Sequence, residues 1–383
     1  MANNNENKIL NVPHLRFPEF SGEWKKCTLG EIGKGFDYGM NAAAKPFDGQ
    51  HKYIRITDID ESSAAYIDKD VVSPDGELQD SYLVKANDIL LARTGASTGK
   101  SYLYDNKDGI LYFAGFLIRV NIPSDNAYFV FSQLHLSRYR KWIGIMSARS
   151  GQPGVNSQEY SNYPIYLPKI EEQTKIAKLL KLVDERIATQ NKIIEKYESL
   201  IKGINCKIFA SIQGNEYRLR DIATITNGNS NVQDASVEYR IGLYPFFDRS
   251  EDVKYLPTFL FDKESIIYPG EGTEFMPRYY NGKFALHQRC YAICDFNEVV
   301  NPQFLYFFLK TQNSYFIRNA VGSTVPSLRL DTFQKLKVVI PSKETQYSIS
   351  SFLSTLEQKL DVENNIMKML LCQKRYLLRQ MFI

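Results

Sequence analysis

Long hydrophobic runs are missing from this 383-residue chain, and no stretch approaches the length needed to span a membrane. The opening Met1-Ala-Asn-Asn-Asn-Glu-Asn-Lys lacks a basic start followed by an apolar stretch, so it does not read as a signal peptide. Histidines number four and cysteines five, an odd count. Cys290 and Cys294 form a C-x3-C pair without a second pair, and His14, His51, His135 and His287 are too scattered to complete a zinc site. Free thiols in a reducing cytoplasm are the expectation. Charge of one sign is also scarce: 47 Lys and Arg against 43 Asp and Glu leave a net +4. That excess permits nucleic-acid binding without demanding it. Catalytic signatures are absent too. There is no dinucleotide-type glycine run and no Asn/Asp-Pro-Pro-aromatic motif. The carboxylate pairs Asp58/Asp60 and Glu171/Glu172 lack a nuclease-type lysine pattern.

What is present is a repeat. Pro168–Ala210 matches Pro341–Ile383 at a constant offset of 173, with Gln173 on Gln346, Leu180 on Leu353 and Phe209 on Phe382. The match continues upstream through Ser150, Pro153, Val155 and Tyr160, which fall on Ser323, Pro326, Leu328 and Phe333. With a two-residue slip, Asn126-Ala-Tyr-Phe-Val falls on Asn301-Pro-Gln-Phe-Leu, and Leu29-Gly-Glu-Ile opens the first copy as Leu219-Arg-Asp-Ile opens the second. So long a period indicates duplication of whole domains. The boundaries read as a lead segment 1–23, globular units 24–167 and 213–340, and long helices 168–212 and 341–383.

Each helix carries a heptad seam. In the first it runs Ile176, Leu180, Val183, Ile187, Gln190, Ile194, Tyr197, Ile201, Ile204, Ile208. In the second it runs Ile349, Leu353, Leu356, Leu360, Glu363, Met367, Leu370, Lys374, Leu377, Met381. Two such seams are expected to pair as an antiparallel coiled coil with pseudo-two-fold symmetry, Gln190 and Glu363 fixing its register. The fold class is therefore α+β: two tandem mixed units joined by two long helices.

In the first unit, Asp88-Ile-Leu-Leu-Ala-Arg-Thr-Gly reads as a buried strand ending in a turn. Gly95 to Ser101 resembles a P-loop but encloses three residues instead of four, and the following Lys100-Ser-Tyr-Leu-Tyr alternates like a strand, which excludes a nucleotide site. The polar groups of this Gly-rich turn, Arg93, Thr94, Ser97 and Lys100, suit phosphates or base edges. The second copy keeps the strand and turn in Ser265–Arg278 but changes nearly every polar residue. Its candidate DNA contacts are Thr273, Arg278 and Arg289, with Arg149 and Arg329 as candidate phosphate contacts.

These residues resemble a known family, the DNA specificity (S) subunits of type I restriction-modification systems. The resemblance rests on Pro13-His-Leu-Arg-Phe-Pro-Glu-Phe-Ser-Gly-Glu-Trp24 with Leu29-Gly-Glu-Ile32, on the strand and turn 88–100, and on Pro168-x-x-Glu-Glu-Gln173-x-x-Ile176-x-x-Leu-Leu180-x-x-Val-Asp184 with its echo at 341–357. It implies two target recognition domains reading a bipartite, asymmetric site in double-stranded DNA, with the helices setting the gap. It implies a cytoplasmic, non-catalytic chain without cofactor of its own. Two modification subunits would methylate adenine with S-adenosylmethionine, and two restriction subunits would use ATP and magnesium. The competing readings are a stand-alone methyltransferase or nuclease, and a coiled-coil adaptor that binds only proteins.

Overall fold

The computed structural model describes residues 11–61, 63–148 and 154–383. The chain forms two compact units, Met1–Thr189 with Met367–Ile383, and Gln190–Ile366. Each unit takes part of both long helices, which span Ile170–Ser211 and Lys343–Gln380.

The first unit is organised around a four-stranded antiparallel sheet in the order Lys34–Tyr38, Leu117–Asn121, Asp88–Ala92, Ser101–Leu103. All five residues of Asp88–Ala92 are buried, as an apolar run beneath helices requires. Beside it, Lys52–Ile54 pairs in parallel with Leu111–Phe113. Ile89, Leu91, Ile118 and Val120 pack against Val130, Leu134, Tyr160 and Tyr163 to make the larger core.

The second unit repeats this frame. Its six strands run Thr224–Asn227, Cys290–Cys294, Phe261–Pro269, Arg278–Leu286, Tyr244–Phe247, Lys254–Leu256. The parallel pairing recurs between Tyr244–Phe247 and Arg278–Leu286. Here one nine-residue strand, Arg278–Leu286, stands where the first unit has two three-residue strands separated by the turn at Asn106–Asp108. Cys290 and Cys294 are buried in this sheet, and burial pushes both thiols up to about 11. Groups of His, Cys, Asp and Glu able to hold a metal ion are absent among the described residues.

A glutamine clamp joins each sheet domain to the start of its helix. Gln173 Oε1 accepts from Asn126 N at 3.0 Å while its Nε2 donates to Pro168 O at 3.0 Å. Gln346 does the same with Asn301 N at 2.6 Å and Pro341 O at 3.0 Å. Asn126 and Asn301 in turn cap short helices, through the backbone N–H of Phe129 at 3.0 Å and of Phe304 at 2.9 Å. The structure thus repeats the two-residue slip as well as the match.

The seam positions are buried or half-buried throughout both helices, with mostly exposed residues between them. In the first unit Ile176 and Leu180 cluster with Leu377 and Met381, and Asp184 pairs with Lys374 at 2.7 Å. Rising numbers on one segment meet falling numbers on the other, so the segments run antiparallel. In the second unit the polar seam members meet each other: Gln190 Nε2 donates to the Glu363 carboxylate at 2.5 Å and to its carbonyl at 3.1 Å. Gln190 is buried, so its amide needs these acceptors. Replacing Gln190 alone by Leu removes this hydrogen bond to a charged, half-buried carboxylate and is expected to lower stability by about 1–3 kcal/mol. Gln190→Leu with Glu363→Leu should recover most of that loss while weakening the choice of register. Denaturant midpoints of the two variants check this, and a double variant less stable than the single would refute it.

Candidate nucleic-acid interface

In the first unit, three strand ends and a loop converge beyond Ala92. Arg93 N donates to Phe116 O at 3.0 Å, and Val155 N donates to Arg93 O at 2.9 Å. Thr94 bridges Gly154. The Arg93 guanidinium lies over the Tyr38 ring, 4.7 Å from its centroid. Tyr38 is held from the other side, its hydroxyl donating to Ser157 Oγ at 3.3 Å and accepting from Ser157 N at 3.3 Å. The Ser157 hydroxyl, together with the Ser157 backbone N–H and the Arg93 charge, lowers the pKa of the phenol, although partial burial opposes them. Phe116, 59% exposed, stands beside this group.

The turn after Thr94 is a single 3-10 turn, Gly95–Ser97, followed directly by the strand Ser101–Leu103. A phosphate-cradling loop would instead open a helix. Gly99 has a φ of +91° and a Cβ there would lie 2.9 Å from Ile143, so glycine is needed at this corner. Lys100 reaches Glu61 at 3.8 Å, a long and partly exposed contact that leaves the ammonium available. Arg93, Thr94, Ser97 and Lys100 therefore share one rim. Arg149 lies outside the described residues.

In the second unit the candidates separate. Thr273 is exposed in the turn between Phe261–Pro269 and Arg278–Leu286. Arg278 turns inward and donates to Ser250 O, and its Nη1 is buried without a partner. Its local role is to tie the loop at Ser250 to the sheet. Arg289 is 63% exposed at its side chain and donates from Nη1 to Glu271 at 2.6 Å. Arg329 is exposed immediately before the helix Leu330–Lys335. Reading the sequence alone missed Tyr38, Phe116 and Ser157, which only the sheet brings to Arg93. The aromatic excess was their one available signal, and it does not separate them from core residues.

Comparison with known proteins bears on the family and the fold. The model of the type I restriction modification DNA specificity domain matches twice, over residues 21–199 and 213–371. The chain is 32% identical over 123 residues to the type I restriction enzyme EcoDI specificity subunit of Escherichia coli, a match covering 32% of this chain and 27% of that subunit. It is 23% identical over 410 aligned positions to the MjaVIII specificity subunit of Methanocaldococcus jannaschii, covering 94% of this chain and 91% of the relative. In fold it is similar to the S subunit from M. genitalium, with a TM-score of 0.64, 18% identity, and coverage of 97% of this chain and 99% of the other. A chain from a type I restriction-modification structure describing complex assembly and conformational transition gives a TM-score of 0.55 at 14% identity, covering 97% of this chain and 99% of that one. Two matches to one domain model, placed on two units that share a sheet frame and a helix clamp, mean that this chain belongs to the type I restriction-modification DNA specificity family.

Proposed function

We propose that the chain is the DNA-reading subunit of a type I restriction-modification complex, each unit taking one half of a split, asymmetric target. The observation that carries the reading is the contrast between frame and rim. The two units share strand order, helix clamp and main-chain bonds at the rim, yet the rim side chains differ. A shared frame with different polar groups is what two different half-sites require. The paired helices would set the gap between the halves. Bond-making would fall to partner subunits, a methyltransferase using S-adenosylmethionine and a translocase-nuclease using ATP and magnesium, two copies of each. Neither a stand-alone enzyme nor a protein-only adaptor gives a reason for the diverged rims.

The test is adenine-methylation mapping of genomic DNA from cells with and without this chain. Loss of one asymmetric, gapped motif is the expected result. Methyl transfer by the purified chain alone would overturn the proposal.

A further inference from the structure

Three rim positions can be matched between the units by their main-chain bonds. Val155 N donates to Arg93 O at 2.9 Å, and Leu328 N donates to Gly270 O at 2.8 Å. Thr94 bridges Gly154, and Glu271 bridges Ser327. Phe116 and Arg289 each stand immediately before an equivalent buried strand, Leu117–Asn121 and Cys290–Cys294. Arg93 thus corresponds to Gly270, Thr94 to Glu271, and Phe116 to Arg289. Each triplet holds one arginine, but on opposite strand ends.

The exchange has a steric cause. A Cβ at Gly270 would lie 1.8 Å from the carbonyl oxygen of Arg289, so no side chain can stand at position 270. The second unit can supply a guanidinium at this rim from the neighbouring strand end instead, where the first unit carries a phenylalanine. Both guanidinium groups are also pre-positioned: Arg93 by the ring of Tyr38, Arg289 by the carboxylate of Glu271.

A fixed, planar guanidinium is suited to the two acceptors on a guanine edge. In the second unit the neighbouring carboxylate repels phosphate oxygens, and it can accept from a cytosine amino group. That pairing favours a G·C edge over the sugar-phosphate backbone. We infer that Arg93 and Arg289 each read a guanine, one in each half-site, with Tyr38 and Glu271 as their positioning residues. The inference rests on the DNA-reading role proposed above.

The experiment measures binding of the full chain to duplexes carrying the mapped motif, and to duplexes each with one base pair changed, across a range of salt concentrations. Arg289→Ala is expected to weaken binding to the intact motif by about 10- to 100-fold and to abolish preference at one G·C pair. Glu271→Gln should weaken preference at the same pair. Tyr38→Leu should weaken preference at a G·C pair in the other half, and Tyr38→Phe, which keeps the ring, should not. Uniform weakening of all duplexes by Arg289→Ala, with the salt slope reduced by about 1, would mark a phosphate contact and overturn the inference alone. Motif-independent binding by the unaltered chain would overturn the DNA-reading role, and this inference with it.

Discussion

Phe382→Ala is expected to destabilise the first unit by about 3–5 kcal/mol, the usual cost of deleting a buried aromatic ring. Phe382 is 3% exposed, stacks on Phe129 at a centroid distance of 5.1 Å and meets Trp24 edge-on at 6.0 Å. The same cluster holds Ile176, Ala177, Leu180 and Met381, so the ring joins the sheet domain to both helix segments. A single domain is stable by about 5–15 kcal/mol, so this loss is a large fraction of the total. Hydrogen exchange should show protection falling across 127–133 and 176–180, and chemical denaturation should show an earlier transition. Phe209 occupies the equivalent place in the second unit, against Phe304 at 5.2 Å and Phe308 at 5.6 Å, but is only partly buried. Phe209→Ala should therefore cost less, about 1–3 kcal/mol. Equal midpoints for Phe382→Ala and the unaltered chain would show that the ring does not carry this junction.

The second large effect concerns recognition. Arg93→Ala combined with Lys100→Ala removes both cations from the first unit's rim, one stacked on Tyr38 and one held only by a 3.8 Å contact to Glu61. If one reads a base and the other a phosphate, the combined loss is about 2–4 kcal/mol, or roughly 30- to 1000-fold in affinity. Methylation mapping of cells carrying the double variant should show reduced modification of the full motif. The modification that remains should tolerate base changes in one half only. Unchanged methylation of the whole site would remove both residues from the interface.

The helices were legible in the sequence because their pattern is local. A heptad seam needs only residues three and four apart, and each seam position from Ile176 to Ile208 lies buried or half-buried. The duplication was legible for the same reason, since an unbroken offset keeps Gln173 and Gln346 in equivalent clamps. The rim was only half legible. Arg93 and Lys100 are close in sequence, but Tyr38 and Phe116 reach Arg93 through strand pairing across a sheet, which a local pattern does not encode. Arg278 illustrates the opposite case: charge favours exposure, yet the loop at Ser250 offers its carbonyl and draws the guanidinium inward. Gly270 carried the key to Arg289, but only the 1.8 Å approach of a neighbouring carbonyl gives that glycine its meaning.

The unit that opens the sequence is closed by residues Met367–Ile383, and that fact orders events on the ribosome. Roughly 180 residues separate Thr189 from Met367, which at about 5–20 residues per second is on the order of 10–40 s of synthesis. Throughout that interval Trp24, Phe129, Ile176 and Leu180 exist without Met381 and Phe382. The second unit has no such wait, because its borrowed segment beginning at Gln190 is made before its own sheet. The domain translated first is thus the domain finished last. A premature stop after residue 366 would leave the second unit entire and the first with an open, apolar face for chaperones and proteases to find.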